Sequence, residues 1–439
     1  MTRLARLLRA LCLMLACLLA APLGSWSPTS AAAPSRASVT IPILPPVDLD
    51  PEIAAFYRDR AYRPVWIRDG ALRPEAARLE ALVRGSDADT AEFRTALAEA
   101  ASGNRHRLTR ADLLLSRTYV AWVRAHHRGP TTNPMRYIDT GLAPEPERAA
   151  DLLRALAEAP DFSRHFDEME RINPVFAGLT RALANFSGDA ARRRLLEANL
   201  ERARAIPARP NGRYILVDAA SAQLWMIENG RIVDRMRVVV GKRAMPTPQL
   251  AGMIRYAALN PYWNLPPDLI RQRARGGAAA IRAEHLEVLS DWSPQARRLD
   301  PASVDWRAVA AGRRYVNVRQ TPGPHNMMGR VKFMLPNDMG VYLHDTPLRG
   351  LFAGADRRQS SGCVRLEDAA RLERWLFRGR TPRPNGTPEQ RVDLPEPVPV
   401  YIGYFTALPT RDGAAFVPDV YARDGVSAVS RNPRQTRSA

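Results

Sequence analysis

A histidine and a cysteine nineteen residues apart carry the chemistry legible in this chain. His344 lies in Val341-Tyr342-Leu343-His344-Asp345-Thr346 and Cys363 in Ser360-Ser361-Gly362-Cys363-Val364-Arg365-Leu366. The other two cysteines, Cys12 and Cys17, fall in an apolar leader, so its removal leaves Cys363 with no intramolecular disulfide partner. A lone thiol is a buried bystander, a metal ligand, an intermolecular linker or a nucleophile. The thiolate is the reactive form, and an unassisted thiol of pKa about 8.5 is only a few per cent ionised at neutral pH. A nearby imidazole that takes the proton is what such a nucleophile needs. The small polar run Ser360-Ser361-Gly362 is a poor match to the core strand in which an inert cysteine would sit. The pair favours nucleophilic catalysis, with a satisfied strand histidine and a small buried hydrophobe as the bland alternatives.

Two elements must position that pair. A strand over 341–344 turns Val341 and Leu343 to one face and Tyr342 and His344 to the other, so an aromatic ring and an imidazole line a cleft while the apolar pair is buried. Downstream, Glu367 and Asp368 open an apolar-periodic run that Arg378-Gly379 closes, the boundary signals of a helix. This places Cys363 just before a helix N-terminus, where the positive dipole end favours a thiolate. Gly362 offers a side-chain-free approach, and the N–H groups of Gly362 and Cys363, with Ser361 beside them, are candidates for an oxyanion hole.

The chain has 439 residues, enough for two or three domains. Residues 1–33 read as a signal peptide: Arg3, Arg6 and Arg9 precede an apolar stretch from Leu11 to Leu23, and Ala31-Ala32-Ala33 supplies a cleavage neighbourhood. An uncleaved inner-membrane anchor is the alternative. Lipidation at Cys17 fits less well, because apolar residues continue past it and Met14 stands where Leu is preferred. Residues 34–49, rich in Pro, Ser and Ala, suit a linker. From 50 to 205 apolar residues recur at three- and four-residue steps, as in Leu152-Leu153-Leu156 and Phe176-Leu179-Leu183, which predicts a mostly helical domain. From 210 to 424 the pattern becomes strand-like, with Asn229-Gly230 as a two-residue hairpin signal. Within it, residues 265–312 hold helical pieces, long enough for a subdomain over the site. Residues 425–439 are polar, with the composition of a disordered tail. The fold class is therefore multidomain α+β, a mostly helical domain followed by a mostly β domain with a helical lid insertion.

Net charge is +19, and residues 1–33 contribute three arginines and no acidic residue to it, leaving +16. Nearly all of this charge is arginine, with lysine only at 242 and 332. Compositional bias accounts for it more simply than attraction to a polyanion or to a carboxylate-rich polymer. The arginines are dispersed with no interleaved aromatic patch, which argues against nucleic acid. His106, His126, His127, His165, His285 and His325 lack metal-ligand spacing and read as surface or loop residues. No phosphate-binding glycine loop is present, so neither metal nor other cofactor is implied.

At these residues the sequence resembles the L,D-transpeptidases with the YkuD catalytic domain. His344 followed by Ser360-Ser361-Gly362-Cys363-Val364-Arg365 fits the family pattern. Ser361 stands where many members carry a second histidine, so the chain is similar to the large Gram-negative branch with an N-terminal scaffold domain. Asn260-Pro261-Tyr262-Trp263, Gln320-Thr321-Pro322-Gly323 and Gly329-Arg330-Val331-Lys332-Phe333 strengthen the match. One departure is the lack of room for the peptidoglycan-binding module that long members carry between their helical and catalytic regions.

The resemblance implies a cysteine acyltransferase of the periplasm acting on peptidoglycan stem peptides, and a carbapenem target. Cys363 would attack the third stem residue, diaminopimelate, and expel D-Ala; an amine of a second stem would then resolve the thioester. His344 would serve as base and then acid, oriented by a backbone carbonyl or by the hydroxyl of Ser360 or Ser361. Arg365 would pair with a stem carboxylate or fix the loop. Tyr342, Ser360, Asn260 and Trp263 are the remaining substrate-contact candidates. Other cell-wall synthesis proteins are conceivable partners. An L,D-carboxypeptidase or crosslink amidase by the same route, or a non-catalytic envelope scaffold, are the alternatives.

Overall fold

The computed structural model describes residues 50–425, apart from 85–89, 133–134 and 209–211. The expected signal peptide and linker, and all but the first residue of the expected tail, lie outside the described residues. No helix among the described residues is long and apolar enough to cross a membrane.

The second half is built on a mixed sheet that closes on itself. Strands Arg213–Asp218, Gln223–Glu228 and Arg231–Gly241 form an antiparallel meander. Its second turn is the predicted hairpin: Asn229 and Gly230 both take left-handed φ, 49° and 71°, as a two-residue primed turn requires. Arg213–Asp218 pairs in parallel with Gln390–Gly403, which runs antiparallel to Leu250–Leu259. Val331–Met334 then pairs with Leu250–Leu259 on one side and Leu343–His344 on the other. The circuit ends through Val364–Leu366, which joins Leu343–His344 to Arg231–Gly241.

Alternation along these strands separates two cores. Ile215, Val217, Leu224, Met226, Val238 and Val240 point inward, where Leu372 and Leu376 of the helix Ala369–Leu376 meet them. Tyr214, Leu216, Trp225 and Ile227 point outward, and helices Pro174–Ala184 and Ala190–Ala203 cover them with Phe176, Leu179 and Leu196. A strand buried on both faces reads as a continuous apolar run, which is what Tyr214-Ile215-Leu216-Val217 is.

The remaining helices, from Pro51–Asp59 to Phe162–Glu170, enclose their own core around Trp66, Tyr119, Trp122 and Phe166. The strand Arg136–Tyr137 leaves this half to pair with Leu250–Ala251 at the edge of the large sheet. Packing thus crosses the change from helix to strand near residue 205. His126, His127 and His165 correct an expectation, since they belong to this helical interior rather than the surface. His165 Nε2 lies 2.7 Å from the Tyr119 hydroxyl, and His127 reaches Glu147 Oε2 at 2.8 Å. Burial pushes the His126 imidazole down to about 4.

The insertion is more than helical. Helices Pro267–Ala274, Gly277–Ala283 and Trp306–Ala310 pack on a four-stranded antiparallel sheet of Trp263–Asn264, Leu286–Leu289, Arg298–Leu299 and Asn317–Gln320. Leu265, Ile270, Ile281, Val288 and Val318 form its own core. Strands of two to four residues are too short for an alternation to show in sequence.

Candidate active site

Leu343–His344 runs parallel to Val364–Leu366, with Leu343 opposite Val364 and His344 opposite Arg365. Leu343 and Val364 are fully buried in the inner core, so alternation turns His344 and Arg365 to the other face. The Val364 N–H donates to the Tyr342 carbonyl at 3.0 Å, which brings Tyr342 alongside Cys363. His344, Ser360, Ser361, Cys363, Arg365 and Trp263 line one cleft of about 830 Å³, to which Lys242, Leu269 and Arg273 also contribute. Met245, Met327, Met328 and Met339 give it soft, adaptable walls.

His344 is buried, and its Nδ1–H donates to the Asp345 backbone carbonyl at 2.5 Å. That bond fixes the tautomer and leaves Nε2 as the proton acceptor. Of the expected orienting groups, the structure uses a backbone carbonyl. Asp345 is itself held: its carboxylate accepts the Arg330 N–H at 2.9 Å and an Arg349 N–H at 2.5 Å. Burial, reinforced by the positive charges of Arg365 and Lys332, brings the His344 imidazole down to about 3. Burial pushes the Cys363 thiol above its ordinary value, against a Tyr342 backbone contact and the Arg365 charge, which lower it. Both shifts favour the uncharged forms, thiol and imidazole.

Two expectations about the cysteine need correction. A strand intervenes between Cys363 and its helix, whose N-cap is Asp368, so Cys363 does not sit at that helix's N-terminus. The Gly362 N–H is already committed to Ser360 Oγ at 3.1 Å and is not free for an oxyanion. The Cys363 N–H has no partner among the described residues. Ser360 closes the loop, accepting from Gly362 and donating to the Cys363 carbonyl at 2.6 Å. Ser361 is exposed at the cleft.

The other candidates separate. Arg365 faces the cleft, and its buried Nε has no partner among the described residues. Trp263 lines the cleft under the Arg273 guanidinium, 5.3 Å from its ring centroid. Tyr342 is half-buried, with Lys332 Nζ 5.9 Å from its ring centroid. Asn260 stands apart from the cleft lining in a left-handed turn (φ 51°), its Nδ2 donating to the Gly386 carbonyl at 3.2 Å.

Sequence reasoning missed the support beneath the cysteine. Thr247 Oγ1 donates to the Gly362 carbonyl at 2.8 Å and accepts the Gly241 N–H at 2.8 Å. Gly241 is required by close approach: a Cβ there would lie 2.2 Å from the Met245 carbonyl oxygen. The turn residues Gly241-Lys242 and Thr247-Pro248 after a strand were the available signal.

Two family models match parts of the described chain. Residues 212–400 match the YkuD model, an L,D-transpeptidase catalytic domain, and residues 51–183 match the Scaffold domain model. The second half of the chain is thus similar to the YkuD type of L,D-transpeptidase catalytic domain. A Haemophilus influenzae protein named "Putative L,D-transpeptidase" is 29% identical over 395 residues, covering 85% of this chain and 78% of its own length. Among solved structures, an L,D-transpeptidase from Mycobacterium smegmatis is 15% identical with a TM-score of 0.22. That match covers 43% of this chain, and the chain spans only 58% of that structure. The catalytic domain of an E. faecium L,D-transpeptidase is 15% identical with a TM-score of 0.22, over 44% of this chain and 97% of its own. L,D-transpeptidase 3 from Mycobacterium tuberculosis, solved with a faropenem-derived adduct, is 13% identical with a TM-score of 0.22, over 44% and 60%.

Proposed function

We propose that this protein is a periplasmic peptidoglycan L,D-transpeptidase with Cys363 as nucleophile and His344 as general base and acid. One observation carries the assignment of roles: His344, its Nδ1–H spent on Asp345, lines the same cleft as Cys363, and its strand pairs with the strand that begins just after the cysteine.

The Cys363 sulfur attacks the carbonyl of the third stem residue as the thiol proton passes to His344 Nε2. The carbon–nitrogen bond to D-Ala then breaks, and the same proton goes to the departing amine, leaving a thioester. An amine of a second stem attacks that thioester, the carbon–sulfur bond breaks, and the amine's proton returns through His344 to sulfur. The neutral resting pair means that charge develops only during attack, where Arg365 stabilises the forming thiolate. Its planar fork also suits a carboxylate of the stem. The free Cys363 N–H is the oxyanion donor this loop offers.

Incubating the protein with a disaccharide tetrapeptide tests this. Crosslinked dimers that have lost one D-Ala are the expected products, and Cys363→Ala forms none. Tripeptide alone would make the enzyme a carboxypeptidase, and turnover that survives Cys363→Ala would remove the cysteine from the mechanism.

A further inference from the structure

The segment after the large sheet, residues 417–425, lies beyond the matched catalytic domain, and helix Ala190–Ala203 lies beyond the matched scaffold domain. Hydrogen bonds join the two beneath the nucleophile loop. On the loop side, the Tyr421 hydroxyl donates to the Gly241 carbonyl and takes the Thr247 N–H at 3.5 Å. Arg423 donates to the Thr247 carbonyl at 3.3 Å and to Gln249 Oε1 at 3.2 Å. Thr247 Oγ1 holds the Gly362 carbonyl, one residue from the cysteine, and itself takes the Gly241 N–H.

On the helix side, Arg202 donates to Asp424 Oδ1 at 2.8 Å and to the Arg423 carbonyl at 2.9 Å. Asn199 donates to Thr406 Oγ1 at 3.0 Å, which donates in turn to Asp424 at 2.9 Å. The rings of Tyr404 and Tyr421 stack at 5.2 Å, and the Arg423 guanidinium sits 5.0 Å from both. The Arg202 side chain is only 7% exposed, so this connection is shielded from competing water.

We infer that residues 417–425 form a positioning strap that makes the placement of Cys363 depend on helix Ala190–Ala203. The inference rests on Cys363 being the nucleophile. Tyr421, Arg423 and Thr247 touch no reacting atom; they fix the carbonyl of Gly362 and with it the direction of the Cys363 side chain. Acyl transfer is sensitive to displacements of that kind, a misplacement of about 1 Å costing on the order of a hundredfold in rate.

The experiment follows acylation of the full chain by a carbapenem, by intact mass over time and concentration, beside thermal unfolding. Tyr421→Phe should lower the limiting acylation rate about tenfold while the half-saturating concentration stays within about twofold. Asp424→Asn, nearer the helix, should slow the same step. Thr247→Ser, which keeps the hydroxyl, should behave like the parent, whereas Thr247→Val should match Tyr421→Phe. The double variant Tyr421→Phe/Thr247→Val should be little worse than either alone, because both act through one carbonyl. A folded Tyr421→Phe protein with the parental limiting rate overturns the strap. Should Tyr421→Phe fail to fold, the same outcome for Asp424→Asn decides. If the parent itself is not acylated, the acyl-transfer reading fails separately. Iodoacetamide alkylation of the Cys363 peptide then reads the strap, and an unchanged rate in Tyr421→Phe overturns it.

Discussion

His344 and Cys363 line one cleft, and burial disfavours the charged form of each, which sets the pH behaviour of the site. Alkylation of Cys363 should rise with pH through a midpoint above that of an ordinary thiol, since burial raises its pKa. No inflection should occur near 6.5, because His344 titrates at about 3. Iodoacetamide kinetics between pH 5 and 10 measure this; a plateau already reached at pH 6 would mean a preformed thiolate–imidazolium pair. Arg365→Gln should move the midpoint further up and slow alkylation at neutral pH, as the positive charge that favours the thiolate is lost. At this scale the His344–Cys363 pair was legible from residue type and spacing, and Arg365 from the resemblance. The commitment of the Gly362 N–H to Ser360 was not, since a loop's internal hydrogen bonds leave no periodic trace.

Among the elements, the loop Lys242–Thr247 decides how firmly the cysteine is held. Gly241→Ala would drive a methyl into the Met245 carbonyl, and backbone cannot swing aside as a side chain does. The expected cost is about 1–3 kcal/mol of stability with a lower acylation rate, readable by urea denaturation and intact mass. A variant as stable as the parent would show that the loop relaxes. The strands of the closed sheet were readable from apolar runs and the Asn229-Gly230 turn. The helix before Arg378 was readable too, but not that Val364–Leu366 pairs with two strands before it starts. That pairing is a long-range choice of the sheet, and it separates Cys363 from the start of the helix. The insertion's first three strands and Asn260's turn were hidden for the related reason that tertiary packing, not local pattern, fixes them.

For the whole molecule, buried imidazoles make acid the direction of weakness. His344 and His126 have folded pKa values near 3 and 4 against 6.5 for the free side chain. Below 6.5 the unfolded chain therefore binds protons that the folded chain does not, and stability falls until the folded values are reached. Asp218 works the other way: its carboxyl is raised to about 6, so the folded chain holds the extra proton between 6 and 3.8 and gains in that window. Burial raises Asp112 and Glu373 in the same sense, but the two imidazoles are joined by the lowered His165 and by carboxyls held low by a partner, such as Glu367 beside Arg237, and these outweigh them. The melting temperature should drop steadily from pH 6.5 to 4 in circular dichroism scans, and a flat profile would contradict the buried neutral imidazoles. The helical half followed from three- and four-residue spacing, yet its last two helices cover the large sheet and join its outer core. Nothing in a helical pattern tells which surface its apolar stripe will meet.

The central claim is that Cys363, served by His344, forms an acyl-enzyme, and intact-mass spectrometry with a carbapenem tests it most directly. A single adduct on the parent, absent from Cys363→Ala and formed at least about a hundredfold more slowly by His344→Ala, is the predicted result. An adduct that persists in folded Cys363→Ala, or a His344→Ala protein acylated at the parental rate, would contradict it.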